Sequence, residues 1–590
     1  MISNEQYINE KHKLKILSFS PYSAAWWMVF PEAVYLKELC QIAEIKQIKC
    51  NGAYNGWCTA MPSVGSIDIP DEEDRAKICS RCRFNKLELL EKHFNFDMDD
   101  IEMYLDELDY QKAKNLTSSL QKEEMINYRV EDLEIGKIAQ YEVLLHSKKQ
   151  IEDFDENEFN KYVMCFYNCL LTYYATVKLF KSYKPDRVLI YNTLYHANNI
   201  CAHIARLNGV IVYNLHASLS SFDTFERLIV GKDHAYQYIA DMKEHWHNFK
   251  DVNLTARDAW MISKHYEQVF FQTNVTNYSP ALKNVFDFYN VFPSARGKKI
   301  VLATMSSEDE INAFISANAV EKDSVIFKSQ LEWISWLINY FRDKDEYCLI
   351  IRPHPREFPN LREKKTSTNA QRMRDLFDDL APNIFINWPT DNINLFLMFL
   401  EVDLVLNSYS TAGLDALLFG LPVVTHEDKL IDHPKDLFYS VSNLEEYELA
   451  INQGIKDGFS FERIYKLYKW LNLRYNLAEF DISESTRYLQ KPRMKNELMI
   501  QKNYRNYFLY QDIAFLQENT KDASLMREMI FHGYNTKMDL LMQKVEKNTN
   551  DNSDRNIIIE EVRKIVAIFD EFAVDTKWQR NIKIFLGKER

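Results

Sequence analysis

The stretch VDLVLNSYSTAGLDALLFGLPVVTH, residues 402–426, carries the pattern that decides the fold. Its apolar run at 402–407 predicts a buried strand, and the hydroxyl-rich loop that follows leads into a predicted helix at 411–419. A glycine and a proline end that helix, and a second apolar strand follows at 421–426. Two buried strands joined by one helix predict a parallel βαβ unit.

The same alternation of strands and helices extends toward the N-terminus. Strand-like runs of apolar and β-branched residues occur at 298–304, 346–352 and 383–387, and earlier at 13–20, 43–50, 185–192 and 210–215. Helix-length amphipathic segments separate most of them. This pattern is typical of parallel sheets covered on both faces, so the sequence predicts an α/β fold with two Rossmann-like, doubly wound domains.

Changes in this alternation predict the limits of the domains. We expect an N-terminal Rossmann-like domain at 1–292, with a charged helical insertion at about 84–180. A C-terminal Rossmann-like domain is expected at 293–484, followed by a helical extension at 485–590. The acidic tetrapeptide DMDD at 97–100 falls within the insertion, where we interpret it as a solvated acidic run.

Composition and charge exclude several classes of protein. The chain has 590 residues, 46% of them hydrophobic and only 13 of them Gly, which excludes a mini-protein and disfavours long disordered segments. Its net charge of −13 provides no overall positive field for nucleic acid. The N-terminus lacks the apolar core of a signal peptide, so we expect a cytoplasmic protein with at most peripheral contact at the inner face of the membrane.

Two clusters of polar residues follow predicted strands of the second domain. RPHPRE (352–357) presents Arg352 and His354 on a loop stiffened by prolines, and both side-chain types are suited to phosphate. The second cluster consists of Ser408, Ser410 and Thr411, at a predicted helix N-terminus that favours anions. Strand termination and ordinary capping are the alternative explanations. Because parallel strands end at one edge of a sheet, we expect the two clusters to lie together.

The chain contains no P-loop motif and no GxGxxG, GxSxG or HExxH motif, which disfavours the enzymes that carry them. Instead, RPHPRE and NSYSTAGLDALLFGLPVV (407–424), with VLATMSSEDE (301–310) and YNTLYHANN (191–199), resemble GT-B glycosyltransferases of bacterial surface-polysaccharide synthesis. The resemblance is to the capsule-type and ulosonic-acid (Kdo) transferase group.

The resemblance implies a nucleotide-sugar donor on the C-terminal domain and a glycan or lipid-linked glycan acceptor beside the N-terminal domain. Because no persuasive DxD stands in a suitable loop, and cationic donors with a helix end can stabilise the leaving phosphate, we expect no obligatory catalytic metal. The donor-binding residues that the resemblance implies are Ser307, Glu308, Lys328, Arg352, His354, Glu357, Ser408, Ser410 and Thr411.

Strand-end loops of the first domain supply the candidates for the acceptor side and for catalysis. Tyr22, Asn192 and His196 are the acceptor-side candidates. A base is needed for the acceptor hydroxyl, and His216 and Asp223 follow a predicted strand closely enough to provide one. His354 is the third catalytic candidate.

Four of the nine cysteines lie close together in the sequence, at Cys50, Cys58, Cys79 and Cys82. A CxxC pair with two further cysteines is compatible with a structural zinc ion, although the gap between the first two is irregular. Buried or free thiols and a redox role are the other interpretations.

The function that the resemblance to GT-B glycosyltransferases implies is transfer of a sugar from a nucleotide donor to a growing surface glycan such as capsule or O-antigen. CMP-Kdo, or the nucleotide form of another ulosonic acid, is the expected donor. A CDP-polyol phosphotransferase of teichoic-acid-like polymer synthesis is the alternative enzyme, and a non-catalytic GT-B-fold binding or scaffold protein is the alternative of another class. Self-association through the C-terminal helices is a further expectation.

Overall fold

The structure, a computed structural model, describes residues 13–588 apart from positions 55, 64–67, 223, 225, 236, 273–277, 321–325, 361–364, 378, 427–431, 487–519 and 543–550. Within these residues the strands are β1 Leu14–Phe19, β2 Ala43–Lys49, β3 Asp97–Asp100, β4 Arg187–Tyr191, β5 Ile211–Ala217, β6 Arg227–Lys232, β7 Lys299–Thr304, β8 Tyr347–Arg352, β9 Ile384–Ile386, β10 Leu404–Asn407, β11 Val423–Thr425, β12 Tyr439–Ser440 and β13 Phe480–Asp481.

The α-helices lie between and after these strands. They are Trp26–Leu39, Ala60–Ser63, Glu72–Phe84, Glu107–Ser119, Lys122–Ile126, Ile135–Ile138, Tyr141–Ser147, Glu156–Tyr183, His196–Leu207, Gln237–Phe249, Ala256–Phe270, Phe288–Val291, Glu308–Ser316, Gln330–Phe341, Thr368–Leu376, Leu395–Phe399, Ala412–Leu417, Leu444–Asp457, Phe461–Leu471, Ser483–Thr486, Ala523–His532, Lys537–Met542, Asp551–Asp570 and Lys577–Lys588. Short π-helical segments at Asn85–Glu91 and Asn472–Leu477 extend two of them.

The second sheet has the strand order β12-β11-β10-β7-β8-β9, and all its pairings are parallel. The chain begins at the centre with β7, runs outward through β8 and β9, and crosses back to β10 on the other side of β7. The direction of winding therefore reverses between β7 and β10. In open α/β sheets, ligands bind in the crevice outside the carboxyl ends of the strands at such a switch point.

The first sheet repeats this plan and has the order β13-β6-β5-β4-β1-β2-β3. Its switch point lies between β1 and β4, which pair in parallel. At one edge β6 runs antiparallel to β5, and β13 runs antiparallel to β6. Because β13 follows the second sheet in sequence, the chain returns to the first sheet near residue 480. The predicted α/β class with two doubly wound sheets is confirmed.

Helices cover both faces of each sheet, which explains the continuous apolar character of the strands. In β7, Ile300 and Leu302 pack into one core while Val301 and Ala303 pack into the core on the opposite face. All four side chains are fully buried. Neither face of these central strands is left for water.

One local prediction is wrong. DMDD forms the edge strand β3, paired in parallel with β2, and is not a free acidic run in a helical insertion. Its charges are compensated across the sheet edge, since Lys46 lies 3.0 Å from Asp97 and 2.9 Å from Asp99. Lys86 lies 2.6 Å from Asp100. These pairs allow a polar tetrapeptide to complete the edge of an otherwise apolar sheet.

The C-terminal helices pack within the chain along their apolar faces. Met526 and Ile530 of helix Ala523–His532 pack into a core of the first sheet, and Phe569 of helix Asp551–Asp570 packs into a core of the second. Association of two chains through these helices stays a prediction. No helix among the described residues has the length and apolarity that crossing a lipid bilayer requires.

Candidate functional site

The loops after β7 and β10 meet at the switch point of the second sheet. The Tyr409 backbone N–H donates to the Ser306 hydroxyl at 3.3 Å. Gln330 joins both loops, because its Nε2 donates to the Ser306 carbonyl at 3.0 Å and to the Tyr409 hydroxyl at 2.9 Å. The crevice expected from topology is therefore bordered by hydroxyl groups on two sides.

Ser408 and Ser410 lie in the loop between β10 and helix Ala412–Leu417. The Ser408 hydroxyl is buried and has no hydrogen-bond partner among the described residues. The Ser410 hydroxyl accepts the backbone N–H of Ala412 at 3.3 Å. Thr411 is the residue before the helix, but its side chain makes no capping hydrogen bond and is exposed. Of these two residues, only Ser410 supplies an acceptor to the start of the helix.

His354 follows β8 in a defined tautomer. The backbone N–H of Arg356 donates to His354 Nδ1 at 3.2 Å, so a neutral ring carries its proton on Nε2. Burial and the nearby charges of Arg356 and Arg352 lower the pKa of His354 to about 3. The imidazole is therefore neutral at pH 7 and presents an N–H donor, not a base, at this edge of the sheet.

Arg352 is the last residue of β8, and its guanidinium bonds within the protein. It donates to the Asn387 side chain and, at 3.0 Å, to the Ile393 carbonyl. The side chain is buried, and burial lowers the pKa of Arg352 to about 10. These contacts hold the loop that follows β9 against the end of β8.

Arg356 connects the two halves of the molecule. Its Nε and Nη2 donate to Asp309 Oδ2 at 3.0 and 2.9 Å, and Nη2 also donates to the Leu145 carbonyl at 2.7 Å. Leu145 belongs to helix Tyr141–Ser147, which lies between β3 and β4 in the sequence. Lys148, at the end of this helix, donates to the Arg356 carbonyl. The RPHPRE loop is thus tied to the first half of the chain through Arg356.

Glu357 lies behind the start of helix Glu308–Ser316. Its Oε1 accepts the Glu308 backbone N–H at 2.8 Å, and the side chain is fully buried. Burial and the neighbouring Asp309 carboxylate raise the pKa of Glu357 to about 7. Ser307 is buried, and its hydroxyl donates to Asp309. Lys328, which the sequence predicts to bind the nucleotide-sugar donor, is exposed just before helix Gln330–Phe341.

This pKa predicts a pH-dependent effect of Glu357→Gln on stability. A carboxyl whose pKa is raised in the folded state adds stability below its ordinary pKa and loses it as the pH rises to the raised value. The variant should therefore exceed the wild type in free energy of unfolding at pH 8 by on the order of 3 kcal/mol, with no excess at pH 4. Urea unfolding at both pH values measures this, with the exposed Glu445→Gln as control. An equal difference at the two pH values would contradict the assignment.

Gly413 allows a second prediction about stability, because a side chain at this position would clash with Asn407, which bonds the Ser410 loop. A Cβ there would lie 2.7 Å from Asn407 Nδ2, which donates to the Ser410 carbonyl at 3.0 Å. Gly413→Ala should cost about 1–3 kcal/mol of stability through overpacking. Thermal unfolding measures the loss, and Gly587→Ala, with open space around its Cβ, is the matched control. Equal melting temperatures for both variants would contradict the close approach.

A buried carboxylate and imidazole pair occupies the switch-point edge of the first sheet. His196 Nδ1 lies 2.8 Å from Glu142 Oε2, and the Thr59 hydroxyl donates to Glu142 Oε1. Burial alone would raise the pKa of Glu142, but His196 and the hydrogen bonds lower it overall. Tyr22 is buried in the same cluster, where the charge of Glu142 contributes to the raised pKa of its phenol.

The remaining first-domain candidates that the structure describes, Asn192 and His216, have polar contacts within the protein. Asn192 has φ of 58°, a left-handed conformation that Asn tolerates, and its side chain accepts the Leu194 backbone N–H at 3.0 Å. His216 lies inside β5 instead of after it, and its Nδ1 is 2.8 Å from the Ala217 carbonyl. Asp223 lies outside the described residues.

Helix Tyr141–Ser147 brings the two edges together. Its Glu142 bonds the first-sheet residue His196, its Leu145 carbonyl accepts from Arg356, and its Tyr141 ring lies 6.5 Å from the Phe314 ring. Sequence reasoning missed Glu142 and the bridging role of Arg356. A single glutamate within the apolar run YEVLL was the one local signal for a buried, paired carboxylate.

The four clustered cysteines lie near one another, but no three His, Cys, Asp or Glu side chains among the residues that the structure describes stand at metal-ligand spacing, so a bound metal stays a prediction. They line one cavity of about 20 Å³ beside Tyr22 and Tyr54. Burial raises the pKa of the Cys50 and Cys82 thiols to about 12, which disfavours a redox role, because reactive cysteines need a lowered pKa.

No family model and no curated protein matches this sequence. Several solved structures resemble it weakly. KpsC, the beta Kdo 2,4 transferase of Thermosulfurimonas dismutans, is 11% identical over 49% of this chain and 79% of its own, with a TM-score of 0.30. The UDP-GlcNAc 2-epimerase of Neisseria meningitidis is 11% identical over 88% and 100%, with a TM-score of 0.21. The calicheamicin glycosyltransferase CalG4 is 11% identical over 84% and 100%, with a TM-score of 0.24. At these values the likenesses carry no argument about the reaction.

Proposed function

We propose that the protein is a glycosyltransferase that takes its sugar from a nucleotide-sugar donor. The observation that carries the proposal is the meeting of three loops at the switch point of the second sheet. They supply the hydroxyls of Ser306, Ser408 and Ser410 and the Nε2 donor of His354. Hydroxyl and N–H donors at the carboxyl ends of parallel strands are suited to the phosphates of a nucleotide.

The chemistry that this arrangement favours is departure of a phosphate from an anomeric carbon. In glycosyl transfer the sugar passes through an oxocarbenium-like state while negative charge develops on the leaving phosphate. His354 can donate to that charge from a position fixed by the Arg356 backbone N–H. A donor held in place before the reaction stabilises the developing charge without reorganisation. Arg352 acts in this proposal by holding the loop, and not by touching the phosphate.

The acceptor would enter from the first-sheet edge, opposite the donor. The proposed base is a carboxylate of the second half, Glu308 or Glu310, at the start of the helix whose Phe314 packs against Tyr141 of the first half. Glu308 is held at the helix N-terminus by the bond from its backbone N–H to Glu357. The buried pair Glu142 and His196 fixes the wall behind the acceptor. His216 and Asp223 remain the alternative bases of this proposal.

A nucleotide-linked ulosonic acid, with CMP-Kdo as first choice, is the proposed donor, and a surface glycan is the proposed acceptor. Thermal unfolding in the presence of nucleotides and nucleotide sugars tests the donor class. A ligand at about 100 times its dissociation constant adds roughly 2.7 kcal/mol to stability. We expect a cytidine nucleotide to raise the melting temperature, and failure of every nucleotide to do so would contradict the proposal.

Product analysis then separates the proposed reaction from its rivals. Transfer from a CMP-sugar leaves CMP and a glycosidic bond, whereas a CDP-polyol phosphotransferase leaves CMP and a phosphodiester. Mass spectrometry and ³¹P NMR of the extended acceptor distinguish the two, because only the second product gains phosphorus. Binding without turnover of any donor would favour a scaffold protein.

A further inference from the structure

Four cysteine side chains from three separate segments surround one small cavity near the switch point of the first sheet. Cys50 directly follows β2, and Cys58 precedes helix Ala60–Ser63. Cys79 and Cys82 are three residues apart in helix Glu72–Phe84, so both lie on one face of that helix. All four line the same cavity of about 20 Å³. This volume is comparable to the space that a single water or ion needs.

Backbone N–H groups point at two of the sulfur atoms. The Ala24 N–H donates to Cys82 Sγ at 3.2 Å, and the Gly52 N–H donates to Cys50 Sγ at 3.3 Å. Donors of this kind stabilise the anionic form of a ligand atom and fix its orientation around a metal. They are of little use to a neutral thiol, which is a weak acceptor.

A buried lysine without a partner lies beside the cluster. Lys49 is fully buried, and its Nζ makes no hydrogen bond to any described residue. It directly precedes Cys50 at the end of β2. Burial of a cation is favoured by nearby negative charge, so thiolates beside Lys49 would stabilise its ammonium group.

We propose that Cys50, Cys58, Cys79 and Cys82 bind one zinc ion as four thiolates. The resulting complex carries a net charge of about −2, which compensates Lys49. No three His, Cys, Asp or Glu side chains in the described part of the chain already stand at metal-ligand spacing. Binding therefore draws the sulfur atoms inward until each lies about 2.3 Å from the ion, with loss of the thiol protons.

The ion would join the loop after β2 to helix Glu72–Phe84 beside Tyr22. Closed four-thiolate sites are structural, so the proposed zinc holds this wall of the acceptor side and takes no part in the transfer reaction. The inference does not depend on the proposed function, since it concerns folding of the first half of the chain.

Elemental analysis of the full chain purified without chelator tests the inference. We expect about one zinc ion per chain, with loss of that zinc in Cys79→Ser/Cys82→Ser and full retention in Cys40→Ser, whose exposed thiol lies outside the cluster. Less than a tenth of an equivalent of zinc in the wild type, or unchanged zinc in the double variant, would overturn it.

Two further measurements test the proposal even if the double variant fails to fold. Replacement of the metal in the wild-type chain by cobalt should give the absorption of a tetrahedral thiolate site, and its absence would overturn the proposal. Lys49→Met should release zinc to a competing chelator at least tenfold faster than the wild type. A rate of zinc release equal to that of the wild type would also overturn the proposal.

Discussion

Replacing His354 with Asn is expected to lower donor turnover by about a hundredfold or more, which is the cost of one lost preorganised donor. The Asn side chain can still accept the Arg356 backbone N–H, as His354 Nδ1 does at 3.2 Å. It has no donor at the position of Nε2. The melting temperature should therefore stay close to that of the wild type while the rate falls, as measured on one preparation.

The matched variant His354→Gln places an amide donor near the position of Nε2 and should recover part of the rate. His354→Ala loses both functions and should be slow and slightly less stable. Full activity of His354→Asn would remove this residue from the donor site. If turnover and melting temperature fall together across all three variants, His354 only supports the loop and does not contact the phosphate.

Replacing Arg356 with Met is expected to lower the free energy of unfolding by about 3–5 kcal/mol. Asp309 is buried and accepts from Arg356 at 3.0 and 2.9 Å, so the substitution leaves a carboxylate without its cation next to the buried Glu357. The contact to the Leu145 carbonyl is lost as well. Urea unfolding at pH 7 measures the change.

Asp309→Asn provides the control, because it removes the stranded charge. The double variant Arg356→Met/Asp309→Asn should be more stable than Arg356→Met alone, since the penalty of the single change comes mainly from the unpaired carboxylate. A loss below about 1 kcal/mol for Arg356→Met would be the cost of an exposed pair and would contradict the buried bridge.

The second sheet could be predicted from local sequence except for its short edge strand β12. Runs such as KKIVLAT and YCLIIR are apolar on both faces of the strand, a pattern that only a covered parallel sheet requires. The predicted strand at 402–407 and the observed Leu404–Asn407 differ only at the start. The apolar runs are continuous because successive residues, such as Ile300 and Val301 of β7, pack into cores on opposite faces of the sheet.

Pairings between distant segments could not be predicted. DMDD has no strand-like composition, and Lys46 and Lys86 stabilise it only after the chain has folded back on itself. The antiparallel pairing of β13 with β6 joins residues more than two hundred positions apart, and no local pattern reports it. Tertiary context decides such elements.

For the candidate site, the sequence predicted loops that the structure brings to one edge of the second sheet, but it could not assign the contacts of each side chain. RPHPRE contains two arginines, Arg352 and Arg356, and nothing in the local sequence distinguishes their roles. In the structure Arg352 bonds toward the loop after β9, while Arg356 bonds Asp309 and the Leu145 carbonyl. The partners of both residues come from other parts of the chain, so only the fold distinguishes them.

The most direct test of the central claim is a structure of the chain with its stabilising nucleotide bound. The account predicts the phosphates at the switch point between β7 and β10, within hydrogen-bond distance of His354 Nε2 and of the Ser408 or Ser410 hydroxyl. Phosphates bound elsewhere would contradict it, for example in the separate cavity of about 620 Å³ lined by Glu102 and Lys114.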